Sequence, residues 1–390
     1  MRRLPLIVLY LFLFSLTFHG FIGWRLLPDL QAPSVISYVL WALLVLSACL
    51  VPAALIGSRK PHSTFTDAVA WAGFFCMGLV SSLFVLTLLR ELGLLALWLV
   101  SLSGVGVPDT TGIARWSSLL VLIGSAIVTL IGFFNARRAP AVVQVDVPID
   151  NLPPELEGFT IAQISDIHVG PTIREPWLEA IVRQVNALQA DMIALTGDLV
   201  DGRVKALAPH VEPLRALAAR HGTFFVTGNH EYYSGAHQWI EHLRTLGLKV
   251  LLNEHVALEH DGATLVVAGI TDFSAHQFDE AHRSDPLAAV ANAPAHAQAR
   301  ILLAHQPRSI FKAVGAGYDL QLSGHTHGGQ FMPWNWFVPM QQPFTAGLHR
   351  HESLWIYISR GTGYWGPPKR FGAPAEITHL RLVRANSGES

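Results

Sequence analysis

At 390 residues, 51% of them apolar, the chain is long enough for a sizeable folded core plus a second region. Its formal net charge of −1 hides an asymmetry: residues 1–140 carry nine Lys and Arg against four acids, whereas residues 141–390 carry 18 against 24. The acidic larger part excludes the broad basic surface that nucleic-acid binding needs, and the only cysteines, Cys49 and Cys76, fall in apolar runs, which excludes disulfides or thiolate metal ligands downstream.

Four apolar runs, residues 4–22, 35–56, 68–89 and 117–134, approach or exceed the ~18 residues that read as a membrane-crossing helix, and none shows a polar face. Arg2-Arg3 would also suit a signal peptide, but no small-x-small cleavage site follows, so the first run reads as an anchor. A further stretch, 92–107, is set off from the third run by Arg90-Glu91 and interrupted by Gly104 and Gly106; it reads as an interfacial segment or a fifth span. With four spans, Arg2, Arg3, Arg59, Lys60, Arg137 and Arg138 share one side, and Arg25, Arg90 and Arg115 the other. The cationic excess marks the first side as cytoplasmic. The expectation is an all-α membrane domain over residues 1–138 and a cytoplasmic domain over 141–384; five spans would move that domain outside.

After a basic hinge at 136–140, residues 142–147 alternate as a strand and 160–164 form a second. Helical spacing of Leu178, Ile181, Val182, Val185 and Leu188 predicts a helix over 175–188, with Pro176 tolerable in its first turn. The alternation continues with a strand at 192–195, a helix at 206–220, a strand at 223–226, a helix at 236–246, and strands at 249–252, 264–268, 300–304 and 318–322. Residues 386–390 read as a frayed tail.

Five short blocks of polar residues follow the carboxyl ends of these strands, where layered α/β sheets build sites. They are Asp166-Ile167-His168, Gly197-Asp198, Gly228-Asn229-His230-Glu231, His305, and Gly324-His325-Thr326-His327. Each alone is weak, because 19 histidines make such pairs by chance; their order is the signal. Oxygen and imidazole donors without thiolate suit manganese, iron or zinc. Together the blocks offer a ligand set for two metal ions with a spare proton donor, and two metals ~3.5–4 Å apart can activate a nucleophile and neutralise developing charge.

In that order the blocks resemble the signature of the calcineurin-like metallophosphoesterase superfamily. With Leu303-Ala304-His305-Gln306-Pro307 and Ser359-Arg360-Gly361-Thr362-Gly363 they look like its YkuE-type bacterial branch, some members of which have membrane segments. The resemblance covers roughly residues 143–383 and implies a four-layer αββα sandwich. It implies one ion held by Asp166, His168, Asp198 and His327 and another by Asp198, Asn229, His305 and His325, with Asp198 as the bridge. It also implies that His230 is the proton donor. Asp201 and Glu231 are candidates to orient ligands, and Arg360, with Arg174 and Arg350, to contact phosphate. His276, His282, His296, His349, His351 and His379 match no block and read as structural.

The expectation is a membrane-anchored, metal-dependent phosphoric ester hydrolase of a bacterial inner membrane. Its substrate would be a phosphomonoester or phosphodiester such as a phospholipid or a UDP-linked glycolipid. The alternatives are a soluble small molecule or phosphoprotein as substrate, and a non-catalytic membrane sensor that keeps the fold. Residues 331–340, Phe-Met-Pro-Trp-Asn-Trp-Phe-Val-Pro-Met, are unusually apolar for a loop: either they pack on the core, or they form a rim for bilayer or acyl chain.

Overall fold

The computed structural model describes residues 4–57 and 63–385. Arg2, Arg3, Arg59 and Lys60, used in the charge count, and the tail at 386–390 lie outside the described residues. The chain divides into a helical unit, residues 1–134 with Gly366–Lys369, and a mixed α/β unit, Asn135–Trp365 with residues 370–390.

The helical unit is built from α1 (Leu4–Leu30), α2 (Ser34–Gly57), α3 (Thr64–Leu102) and α4 (Thr110–Arg137). All four are long and apolar enough to cross a membrane. The expected break at Arg90-Glu91 does not occur: α3 runs through it for 39 residues, about 58 Å at 1.5 Å per residue. That is nearly twice the ~30 Å hydrocarbon core. Charge did not stop the helix because the charges neutralise one another. The buried Arg90 guanidinium pairs with Asp29 and Glu91 and donates to Ser117 Oγ (2.9 Å) and the Ala114 carbonyl (3.0 Å), while Arg25 also holds Glu91. Residues 92–102 therefore extend the third helix and form no separate span. Lys369, buried, donates to the Gly78 carbonyl (2.8 Å) and the Ser82 hydroxyl of α3.

Among its described residues the α/β unit has twelve strands: β1 (Ala141–Ile149), β2 (Thr160–Ile164), β3 (Met192–Leu195), β4 (Thr223–Phe225), β5 (Lys249–Val250), β6 (Glu254–His260), β7 (Ala263–Gly269), β8 (Ala299–Leu303), β9 (Leu320–Ser323), β10 (Gly347–His351), β11 (Leu354–Ile358) and β12 (Glu376–Arg384). They form two six-stranded sheets, ordered β1-β12-β2-β3-β4-β5 and β10-β11-β9-β8-β7-β6. In the first, β2 to β5 are parallel; β12 returns antiparallel to β2 and parallel to β1. In the second, β7, β8, β9 and β11 are parallel, with β6 and β10 antiparallel at the edges.

Strand alternation assigns the layers. Met192, Ala194 and Phe224 of the first sheet share a core with Leu265, Val267, Ile301, Leu303, Leu320 and Leu322 of the second, so the sheets pack face to face. The intervening residues Ile193, Leu195 and Phe225 point the other way, onto α5 (Glu175–Ala187) and onto Trp239, Ile240 and Leu243 of a later helix, Ala236–Thr245. On the far side of the second sheet, Ala268, Leu302 and Ile356 meet Ile310 and Ala313 of a short helix. The result is the αββα sandwich that the resemblance implies.

Two sequence expectations need correction. The helix expected over 206–220 is α6 (Val204–Val211) followed by a 3-10 turn, Glu212–Ala216. Pro209 and Pro213 each lack the amide that a continuing helix would use. The sequence reading also missed β6, β10, β11 and β12, half of which are edge strands with mixed exposure and no clean alternation.

Candidate metal centre

Strands β2, β3, β4, β8 and β9 end side by side, and the loop after each delivers one of the five blocks. All seven expected ligands, Asp166, His168, Asp198, Asn229, His305, His325 and His327, converge there with His230. His168 Nε2 lies 3.0 Å from His327 Nε2, which is 3.4 Å from Asp166 Oδ1. On the other side, His305 Nε2 lies 3.2 Å from His325 Nδ1. Asp198 stands between: its Oδ2 is 3.2 Å from His305 Nε2, 3.9 Å from His230 Nε2 and 4.0 Å from His168 Nε2. Asp166, His168 and His327 form one group close enough to share an ion, and Asp198, His305 and His325 another.

The backbone is bent to achieve this. Asp166, His168, Asp198, His325 and His327 all have φ between +51° and +71°, a left-handed conformation that costs a residue with a side chain of order 1 kcal/mol or more. Such strain persists only where the surroundings over-determine it. The glycines of the blocks make room: a Cβ on Gly228 would meet Asp198 Oδ1 at 2.2 Å, and one on Gly324 would meet Asp166 Oδ2 at 2.1 Å.

Hydrogen bonds hold the far side of several of these candidate ligands. His305 Nδ1 is held by the Thr196 carbonyl at 2.7 Å, which leaves Nε2 for the centre. Asp201 Oδ1 takes both His168 Nδ1 (3.1 Å) and His230 Nδ1 (2.5 Å), orienting two imidazoles from one carboxylate. Glu231, fully buried, accepts the backbone N–H groups of Asp198, Leu199 and Gly228 at 2.7–3.0 Å and so ties the β3 loop to the β4 loop. Asp198 Oδ1 accepts the His230 amide (2.8 Å), and both Asp166 oxygens accept the His325 amide (3.0 Å).

The electrostatics separate the imidazoles. Burial alone would raise the Asp198 carboxyl, but His305, His230 and His168 outweigh it and hold the group well below its ordinary range. For His230 burial is likewise overcome, by Asp198 and Asp201, and its pKa rises to about 9. Burial and the adjoining His305 push His325 down to about 3, and burial with His168 holds His327 well below its ordinary value. Those two are neutral donors at pH 7, the state metal ligation requires. Asn229 Oδ1 is buried and takes no hydrogen bond from any described residue. An orphaned buried amide oxygen in the same block as His230 is what a cation would satisfy, so the residues present fit divalent ions.

Of the expected phosphate contacts, Arg360 runs beside Gly328 and pairs through Nη1 with Glu376 (2.7 Å), remaining about one-third exposed. Arg350 is tied to Asp150 (2.8 Å) and stacks over Trp355. Arg174 precedes α5 as its N-cap residue. The sequence reading missed Arg370, which is fully buried and lies 3.1 Å from His327 Nδ1; it also donates to the carbonyls of His327 (2.9 Å), Arg360 (2.7 Å) and Gly363. Nothing in the sequence around Lys369-Arg370 marks it. Tyr233 and Trp365, also missed, place their rings 5.2 and 5.8 Å from that of His230. In the loop after His327, Phe331 packs inward while Trp336 and Met340 are 68% and 79% exposed.

Fold and site together define a class: a membrane protein whose αββα domain gathers carboxylates and imidazoles at its strand ends. The calcineurin-like phosphoesterase profile matches residues 159–329. The chain is 38% identical to a bovine (Bos taurus) transmembrane protein with metallophosphoesterase domain, over 72% of this chain and 66% of that one. It is 35% identical to the protein of the same description from Danio rerio, over 80% of this chain and 73% of the relative. Eighty per cent is more than the residues after Phe134 can supply, so that similarity reaches into the helices. The uncharacterized metallophosphoesterase YkuE of Bacillus subtilis is 30% identical over 60% of this chain and 82% of its own length. The chain belongs to the calcineurin-like metallophosphoesterase family, which generally binds divalent metals.

Proposed function

We propose that the protein is a membrane-anchored, dinuclear-metal-dependent phosphoesterase. One ion would be held by Asp166, His168, Asp198 and His327, and the other by Asp198, Asn229, His305 and His325. The observation that carries this reading is Asp198: a single carboxylate oxygen lies within 4.0 Å of imidazole nitrogens from both groups, the arrangement of a bridging ligand. When bound, the two ions would supply an activated nucleophile and neutralise the phosphoryl oxygens.

The remaining steps fall to the chain's own side chains. His230 presents Nε2 to the centre because Asp201 occupies its Nδ1, and a protonated imidazole there can deliver a proton to the departing oxygen. Tyr233 and Trp365 flank that ring and limit its rotation. Glu231 and Arg370 keep the ligand-bearing loops in register.

The substrate we favour is a membrane-located phosphoester, a phospholipid or UDP-linked glycolipid. Support comes from the apolar rim after His327, where Met332, Trp334, Trp336, Phe337 and Met340 are all exposed, and from four membrane-length helices on the same chain. The α/β domain would lie on the cytoplasmic side of a bacterial inner membrane by the charge asymmetry of the spans. Manganese-dependent hydrolysis of an aryl phosphodiester by the purified full chain, lost in Asp198→Ala, tests the chemistry; hydrolysis that persists in that variant would refute it. Comparing membrane lipid extracts before and after incubation with active protein tests the substrate class, and an unchanged lipid profile would favour a soluble small molecule or phosphoprotein.

A further inference from the structure

Outside that centre, the described residues contain one more group of three metal-ligating side chains with a donor atom of each within 4.8 Å of the others: His237, Asp279 and His282. His237 is the second residue of the helix Ala236–Thr245, and Asp279 caps the 3-10 turn Glu280–His282 that His282 closes. Two segments some forty residues apart in sequence thus meet through three donors.

Each donor is already oriented. Asp279 Oδ1 accepts the Ala281 amide (3.0 Å), which leaves Oδ2 facing His237 Nε2 at 2.9 Å. His282 Nδ1 is engaged by the Tyr232 hydroxyl (2.8 Å), which leaves Nε2 as its outward donor. The two imidazole rings approach to 4.9 Å at 60°. The ion pair engages His237 and Asp279, and the Tyr232 hydroxyl holds His282 with its ring beside that of His237. A shared cation accounts for all three. Two imidazoles and one carboxylate, without thiolate, leaving a fourth position open to water, make a zinc set in preference to a magnesium or calcium one.

The site also has a route to the reaction centre. Phe278, the residue before Asp279, packs on Tyr233 (5.6 Å) and Tyr232 (5.9 Å), and Tyr233 flanks His230. We propose that His237, Asp279 and His282 form a separate zinc site in the α/β unit, which clips the 279–282 turn to the helix Ala236–Thr245 and so fixes the aromatic wall beside His230.

The full chain in detergent, equilibrated in zinc-buffered dialysis, should lose one zinc per chain on His237→Ala, on His282→Ala and on Asp279→Asn, as counted by elemental mass spectrometry. His237 is 67% exposed, so its removal leaves the fold intact. The same single loss should appear in an Asp198→Ala background, where the main centre is disabled. Zinc should slow amide hydrogen exchange across 275–283 in the wild type and leave it unchanged in His237→Ala. Equal zinc content with and without His237 in both backgrounds would overturn the proposal, as would exchange that responds to zinc identically in the two. A wild type holding a single zinc that His237→Ala removes would retain this site and refute the dinuclear reading instead.

Discussion

Replacing Arg370 with Met removes a buried cation of similar volume and its three shorter bonds, to the carbonyls of His327, Arg360 and Gly363, along with longer ones to Gly361 and Ala373. Burial pulls the guanidinium down to about 10, so it is charged at pH 7 and these are charge-assisted bonds. At about 1.5–3 kcal/mol each, three of them amount to roughly 5–9 kcal/mol gross. Relief from burying the charge offsets several kcal/mol of that, and breaking a buried charged network costs about 3–5 kcal/mol net. For a domain of this size 1 kcal/mol moves the melting temperature by about 2–4 °C, so the α/β transition should fall by about 10 °C. His327 also loses its Nδ1 neighbour, and metal affinity should drop about 10–100-fold. Arg370→Lys keeps the charge but cannot fork across three acceptors, and should fall between the two. Circular dichroism melts, together with metal content after dialysis against graded chelator, measure both effects. If Arg370→Met melts within 2 °C of wild type and holds its metal at the same chelator strength, the assignment of Arg370 as the brace of His327 is wrong.

Asp198→Ala should abolish metal loading at the main centre together with activity, whereas His230→Ala should keep the main-centre metals and lose about 10²–10⁴-fold in rate, least for esters with good leaving groups; equal loss of main-centre metal in both variants would make His230 a ligand. Replacing Trp334 and Trp336 with Ser should depress activity on a bilayer-embedded substrate more than on a small soluble ester, and an equal loss on both would show that the loop acts only through packing. A fluorescent protein fused after Ser390 should mature in the cytosol, and an alkaline phosphatase fusion, which needs export to form its disulfides, should stay inactive; the reverse pattern would place the α/β domain outside.

The candidate ligands were legible in the sequence because each block is a local object: a strand, then a loop whose polar residues have no periodic role. The membrane-length helices were legible for the same reason, since length and apolar content need no partner to be recognised. Where a stop signal depended on its partners, local reading failed. Arg90-Glu91 looked like a break and is helix interior, because Asp29 and Arg25 from α1 neutralise it. Only the tertiary structure showed that β12 inserts between β1 and β2, pairing residues more than 200 positions apart, and that β10 and β11 extend the second sheet beside β9. Only it could show that Arg370 braces His327, that one Asp201 oxygen serves both His168 and His230, and that His282, unremarkable in sequence, stands beside His237 and Asp279. Residue type fixes which atoms can bind a proton or a metal; chain folding alone fixes which of those atoms share a space of a few ångströms.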